Sequence, residues 1–249
     1  MSETYGIKAY WGHRPESAEQ CADRAELFFR LLAECHPAFA RWYEKSSSDQ
    51  TALQLGFEPT RETFLRFFGR EKYQSGKDGF RFGAWTGREA DDQGAMVMLR
   101  CGSKGEVAPN NLWLFLPREA LGEEHVLTAP VVAGAMRAVA VAWDPEWAVA
   151  TADGLWDELS GGSRLGCFVG WMTYFSRERG EVPLLAAPVR GEPLGDKGTL
   201  ITLTPERLTP SNPEHVALAW RAQTVLEEQG LFRLMVQPGY KQKAGDAPA

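Results

Sequence analysis

Apolar residues recur at Cys21, Ala25, Phe28, Leu32 and Cys35, in steps of four, three, four and three that draw one face of a helix. Charged Glu19, Asp23, Arg24, Glu26, Arg30 and Glu34 take much of the remaining surface. Ser17 stands where an N-cap belongs, and Gln20, three residues on, completes a capping box. His36-Pro37 sets the end, because proline restricts the residue before it. Upstream, Tyr5 to Trp11 suits a strand, with aromatics at 5 and 10 and Ile7 between them, and Gly12 and Pro15 stop it. The chain therefore opens as strand, tight loop and long helix, and the rest is organised around that unit.

Phe39, Trp42 and Tyr43 form an aromatic cluster that suits one more short helix. Ser46 to Asp49 and Gly56 to Pro59 are breaks. Thr60 can cap a helix carrying Phe64, Leu65, Phe67 and Phe68 and ending at Gly69. After a turn at Gly76 to Gly79, three strands are expected: Phe80 to Thr86, Ala95 to Cys101, and Leu112 to Leu116. The polar stretch Gly87 to Gly94 joins the first two as a hairpin loop. Leu112 to Leu116 shows no alternation, so it is expected to be buried on both faces or to lie at the centre of a sheet. Thr128 can cap a helix from Ala129 to Ala142, which Asp144-Pro145 ends before Trp147. Asp153 to Leu159 suits a short helix closed by Gly161-Gly162. Leu165 to Phe175 reads as a long central strand, and Gly198 to Thr204 as another after a proline-marked connection. Asn212-Pro213 starts a last helix with Val216, Ala219, Trp220 and Leu226, stopped at Gly230.

Strands and helices are interspersed without a strict βαβ alternation. The fold class read from this is α+β, with a mixed or mainly antiparallel sheet and helices packed on its faces. His36-Pro37-Ala38-Phe39-Ala40 and Asp144-Pro145-Glu146-Trp147-Ala148 each follow a long helix, the trace a weak internal duplication would leave. The 249 residues are read as one domain over 1–249. Two subdomains, roughly 1–120 and 121–240, are the alternative, and 241–249 is expected to be a flexible tail.

Composition narrows the function classes. A net charge of −6 argues against a nucleic-acid binder, which needs a basic face to displace counterions, and allows an acidic protein that meets a basic one. Nine Trp and thirteen Phe supply core, and any surplus at the surface would mark a protein partner. Cys21, Cys35, Cys101 and Cys167 form no CxxC pair and are read as free thiols in a reducing cytosol. The first residues are polar and acidic, so no signal peptide is expected. Val131 to Trp143 is too short to span a bilayer and contains Arg137, so no membrane partner is expected either.

The search for chemistry returns little. His13 and Arg14 follow a strand end, where active sites are often carried, but no partner is evident, and a structural role is favoured. Glu123-Glu124-His125 lacks the second histidine a zincin requires, and the next, His215, is far away. Gly191 to Thr199 lacks the phosphate-loop spacing, and neither Ser163 nor Ser176 sits in a GxSxG elbow. The clearest acidic groups are Asp91-Asp92 and Asp153, Asp157 and Glu158. Solvation or a protein contact ranks ahead of acid–base catalysis or Mg²⁺ binding for them.

The residues Tyr10-Trp11-Gly12-His13-Arg14-Pro15-Glu16-Ser17, followed by Cys21-Ala22-Asp23-Arg24, resemble the immunity protein 52 family of bacterial polymorphic toxin systems. Gly170 to Phe175, Glu192 to Thr199 and Asn212-Pro213-Glu214-His215 are similar to it as well, in the same order and over nearly the whole chain. The resemblance implies a non-enzymatic, cytoplasmic antitoxin paired with a nuclease toxin domain of restriction-endonuclease type, often in a type VI secretion context. It implies no cofactor, metal, nucleic-acid or small-molecule partner, and it carries over no catalytic residue. With it, the acidic groups become the toxin contact: Glu89, Asp91, Asp92, Glu123, Glu124, Asp153, Asp157 and Glu158. The competing readings are a metal-dependent hydrolase built on Asp91/Asp92 or Glu123/Glu124/His125, and an adaptor with no toxin partner.

Overall fold

The computed structural model describes residues 3–45, 53–76, 79–87, 94–103, 109–117, 125–159 and 167–233. Its elements begin with β1 (Tyr5–Trp11), α1 (Ala18–Cys35), β2 (Trp42–Glu44), β3 (Gly56–Phe57) and α2 (Arg61–Phe68). Three strands follow, β4 (Phe80–Trp85), β5 (Met96–Cys101) and β6 (Asn110–Phe115), then α3 (Ala129–Trp143), β7 (Trp147–Ala152) and α4 (Asp153–Leu159). The chain finishes with β8 (Met172–Ser176), β9 (Arg190–Pro193), β10 (Gly198–Thr202) and α5 (Pro213–Glu228). Among the described residues no helix is long and apolar enough to cross a membrane.

All these strands join one sheet in the order β3-β2-β4-β5-β6-β1-β7-β8-β10-β9. Every neighbouring pair is antiparallel. The fold is thus α+β with an antiparallel sheet. Strand β1 holds the middle: Ile7 is registered with Leu114 of β6 on one side and Ala150 of β7 on the other.

The two faces of the sheet differ. On one, Ile7, Ala9, Trp11, Phe82, Val97, Leu99, Leu112 and Leu114 are buried. Helices α1, α2 and α3 cover this face: Phe29 of α1 and Phe64 of α2 pack against Phe82, and Trp143 of α3 stacks on Trp11 at 5.6 Å between centroids. On the other face, α4 and α5 lie over the β1–β7–β8 side. Lys8 there sits 3.8 Å from the Trp156 ring of α4, and Gln223 of α5 donates to the Leu159 carbonyl. Over β4, β5 and β6 this second face presents Trp85, Met96, Met98, Trp113 and Phe115, all part-exposed, with Met98 44% exposed.

Local signals place the helices as read. Ser17 accepts from the Gln20 amide, and the Gln20 side chain accepts from the Ser17 amide, so the capping box is complete. Thr60 caps α2 through Thr63, and Asn212 caps α5 through Glu214. Thr128 stands at the α3 N-cap without a side-chain bond.

Several expectations need correction. Trp42 and Tyr43 lie in a strand, because Tyr43 pairs with Trp85 of β4; only Pro37–Phe39 forms a helical turn. Of the two alternatives for Leu112 to Leu116, the structure takes the place near the centre of the sheet and not burial on both faces: Leu112 and Leu114 face the core, while Trp113 and Phe115 face the open side. Leu165 to Phe175 is not one strand. The strand begins only at Met172, and before it the Val169 and Gly170 amides bond to the Gln223 and Thr173 side chains instead of a neighbouring strand. Strands β3, β7 and β9 were not anticipated, and β3 falls where a break was expected, because Phe57 pairs with Trp42 of β2. Finally, Trp220 is 42% exposed, and Ala222 and Gln223 take the inward positions of α5 instead.

Candidate functional site

Of the eight acidic residues expected to form the toxin contact, Asp153, Asp157 and Glu158 are described, and all three are exposed on α4. Glu89, Asp91, Asp92, Glu123 and Glu124 lie outside the described residues. The strand ends that flank them are described, and they share one end of the sheet. Trp85 is registered with Met96, Met96 with Phe115, and Phe115 with Gly6, beside the Tyr5–Ala152 pair that leads into α4. The Asp153 amide bonds to the Thr4 carbonyl, which ties the start of α4 to this end. Lys8 stands below α4. Burial pulls its ammonium pKa down, and the Asp153 and Asp157 carboxylates push it partly back up.

The opposite end of the sheet carries a polar cleft of about 570 Å³, lined by the end of β1, the turn before β7 and the end of β8. His13, Arg14, Asp196 and Lys197 all reach it. Its charges serve the fold. Arg14 donates to the carbonyls of Trp143 (2.7 Å) and Asp144 (3.3 Å), and Arg24 to that of Ala142 (2.9 Å). Two guanidinium groups thus close the carbonyl end of α3, where the helix dipole favours positive charge. Buried Glu16 lies between them, 2.6 Å from Arg24 and 3.4 Å from Arg14. Asp144 takes the left-handed conformation (φ 50°) that ends α3, and pairs with Lys197 at 3.1 Å. Glu146 accepts from the Gly12 amide (2.9 Å) and from Arg179 (3.3 Å), whose side chain is buried. A Cβ at Gly12 would lie 2.9 Å from Glu146 Oε1, so a larger residue there would displace the carboxylate that holds the Gly12 amide.

The Trp11-Gly12-His13-Arg14 turn and Asp196-Lys197 therefore meet at this cleft, with Arg24 behind it on the Ala142 carbonyl. The model of the Immunity protein 52 family matches residues 3–235. The chain belongs to this family. Among solved structures, a T6SS protein of Pseudomonas aeruginosa matches with a TM-score of 0.53 at 14% identity, over 90% of this chain and 76% of that one. That likeness shows a shared fold. No curated protein matches.

In this Immunity protein 52 chain the Trp11-Gly12-His13-Arg14 turn is a structural junction. Among the described residues His13 makes no hydrogen bond or ion pair, and Ser176 Oγ has no partner, so no nucleophile–base pair is assembled in the cleft. Nor does any group of three or more His, Cys, Asp or Glu in the described residues have an arrangement that could hold a metal ion. His125 is described and exposed, but the glutamates before it are outside the described residues. What sequence reasoning missed is the open sheet face. Its signal was present as period-two alternation: Met96 and Met98 interleave with Val97 and Leu99, and Trp113 and Phe115 with Leu112 and Leu114.

Proposed function

We propose that this chain is the cytoplasmic immunity protein for one nuclease toxin domain, which it binds and neutralises without turnover. The observation that carries the reading is the family match over residues 3–235. The net charge of −6 supports a basic, nucleic-acid-cutting partner, because acidic and basic surfaces speed encounter and fix register. In this reading Asp153, Asp157 and Glu158 of α4, with Glu89, Asp91, Asp92, Glu123 and Glu124 of the connecting segments, form the acidic rim of the contact. The rim either covers the toxin's active cleft or holds the toxin in a form that cannot assemble.

Co-expression tests the reading. A nuclease-toxin gene is expected beside this one; its induction should stop growth of a bacterial host, and the immunity chain should restore it. Continued arrest with both proteins soluble would refute it. Replacing Asp153, Asp157 and Glu158 together by Lys should slow association by about tenfold at low salt, with the difference shrinking at high salt. Unchanged association would reject the acidic rim while leaving the immunity reading intact.

A further inference from the structure

We propose that two copies of this chain pair through the second face of the sheet, α4 of each copy seating on the open half over β4, β5 and β6 of the other. The inference goes beyond the immunity reading, and its test needs no toxin.

This face has a step. Its raised half is the β1–β7–β8 side, under α4 and α5; among the described residues no helix covers the β4–β5–β6 side, where Met98 is 44% exposed. The recessed half carries cations among apolar groups. Lys45 reaches across Gly83, where a Cβ would lie 3.4 Å from Lys45 Cδ, and donates to the Met96 thioether at 2.9 Å. A thioether is a weak acceptor, and among the described residues this ammonium meets no carboxylate. Arg81 is registered with Arg100 on the same side of the sheet; each has an interaction of its own, and both add positive charge. The outward positions of β4, β5 and β6 hold no acidic residue. Met98 and Trp113, registered side by side, supply the apolar part. An uncovered face ordinarily alternates to polar residues, so these two call for cover.

The raised half is acidic. Asp153 and Asp157 stand four residues apart in α4, on the side away from buried Leu155 and Leu159, with exposed Glu158 beside them. Lys8, over the Trp156 ring, is one cation to these three carboxylates. The face is therefore complementary to itself. A twofold axis along the β6–β1 boundary lays the raised half of each copy on the recessed half of the other, and every contact occurs twice. One layer of helix then fills the space between the two sheets on both sides of the axis. Trp220 (42%) and Val225 (37%), exposed on α5, belong to the raised half and gain cover with it. Three strands of six residues, about 4.8 Å apart and rising about 3.4 Å per residue, present roughly 300 Å² in plan. Each copy contributes that area and a matching area of helix, which approaches the about 800 Å² per partner of a standard interface. In the immunity reading the same α4 carboxylates meet the toxin, so pairing and toxin binding exclude each other.

Sedimentation equilibrium of the full chain, over a concentration series, tests the pair. Wild type should dimerise, with a dissociation constant that rises about tenfold between about 50 mM and about 500 mM salt. Two double variants each reverse one side: Asp153→Lys with Asp157→Lys on α4, and Lys45→Glu with Met98→Glu on the open half. Each alone should weaken pairing about 30-fold. Mixed in equal amounts they should pair about tenfold more tightly than either alone, because the new lysines of one copy meet the new glutamates of the other while the second joint keeps its native charges. Val141→Glu, at a position 40% exposed on α3 across the molecule, is the control and should change pairing less than about threefold. A second readout needs no variant: dilute hydrogen peroxide converts the Met98 thioether to the sulfoxide, releasing water, and this should be about tenfold slower above the dissociation constant than below it, by mass spectrometry. A wild type that stays monomeric, folded double variants whose mixture pairs no better than its parts, or Met98 oxidised equally fast at every concentration would each overturn the proposal. A monomer whose Met98 is protected only when a toxin domain is added would assign the face to the toxin and overturn it as well.

Discussion

Glu146 offers the sharpest test of the cleft as a structural junction. Replacing it by Ala removes the acceptor of the Gly12 amide (2.9 Å) and one partner of Arg179 (3.3 Å). A part-buried N–H left without an acceptor costs about 1–3 kcal/mol. Breaking a fully buried ion pair would cost about 3–5 kcal/mol more. That figure does not apply in full, because the Glu146 side chain is 36% exposed and Arg179 keeps the Leu231 and Arg233 carbonyls. The pair is therefore set at about 1 kcal/mol. Glu146→Ala should lose about 2–4 kcal/mol in urea unfolding at pH 7, which for a chain of this length is a drop of roughly 4–16 °C in Tm. Glu146→Gln keeps an acceptor for Gly12 and should lose about 1 kcal/mol. Folded Glu146→Ala protein should still bind toxin with wild-type affinity. A stability within about 0.5 kcal/mol of wild type would refute the account, since surface changes that touch nothing fall in that range.

Three further outcomes are expected. Glu44 is buried, which pushes its carboxyl up, but Lys72, Tyr73 and Arg70 outweigh this and hold it below the usual carboxylate range. A depressed folded pKa contributes stability above the unfolded value of about 4.3 and loses it as pH falls through the folded value. Glu44→Gln should therefore flatten the acid limb of a stability–pH profile. Gly170→Ala would put a Cβ 2.4 Å from the Ala150 carbonyl oxygen and 2.5 Å from Val149 Cγ2, and should cost about 3 kcal/mol or abolish soluble expression. Trp220→Ser, on the exposed side of α5, should change stability by about 1 kcal/mol or less by thermal unfolding.

Much of the fold was legible where local rules act alone. The Ser17–Gln20 box, the Thr60 and Asn212 caps and the strand at Tyr5–Trp11 needed no tertiary context. What was hidden depended on partners distant in sequence. Trp147–Ala152 is a strand of small residues, recognisable by its pairing with β1 and β8 more than by its propensity. Cys167–Trp171 has the apolar content of a strand, yet side chains of Gln223 and Thr173 capture its amides. Leu112–Phe115 read as uniformly apolar because tryptophan and phenylalanine are apolar whether they face a core or a partner; composition cannot separate the two. The same ambiguity hid the open face. His13 and Arg14 were read as structural, and the Arg14 bonds to the end of α3 agree for that residue.

The central place of β1 has a consequence for biosynthesis. It precedes the other described strands of its sheet in the chain, yet both its neighbours come far later: Ile7 must wait for Leu114, then for Ala150. At about 5–20 residues per second, the first wait lasts roughly 5–20 s and the second longer. The β4–β5–β6 meander, paired between near neighbours, has what it needs to form earlier, and β1 then docks onto a finished edge. Translation therefore runs through most of the chain before the sheet can close. A newly made molecule thus offers first the free edge of β6, and then that of β1 until β7 is made, to chaperones or to other nascent copies.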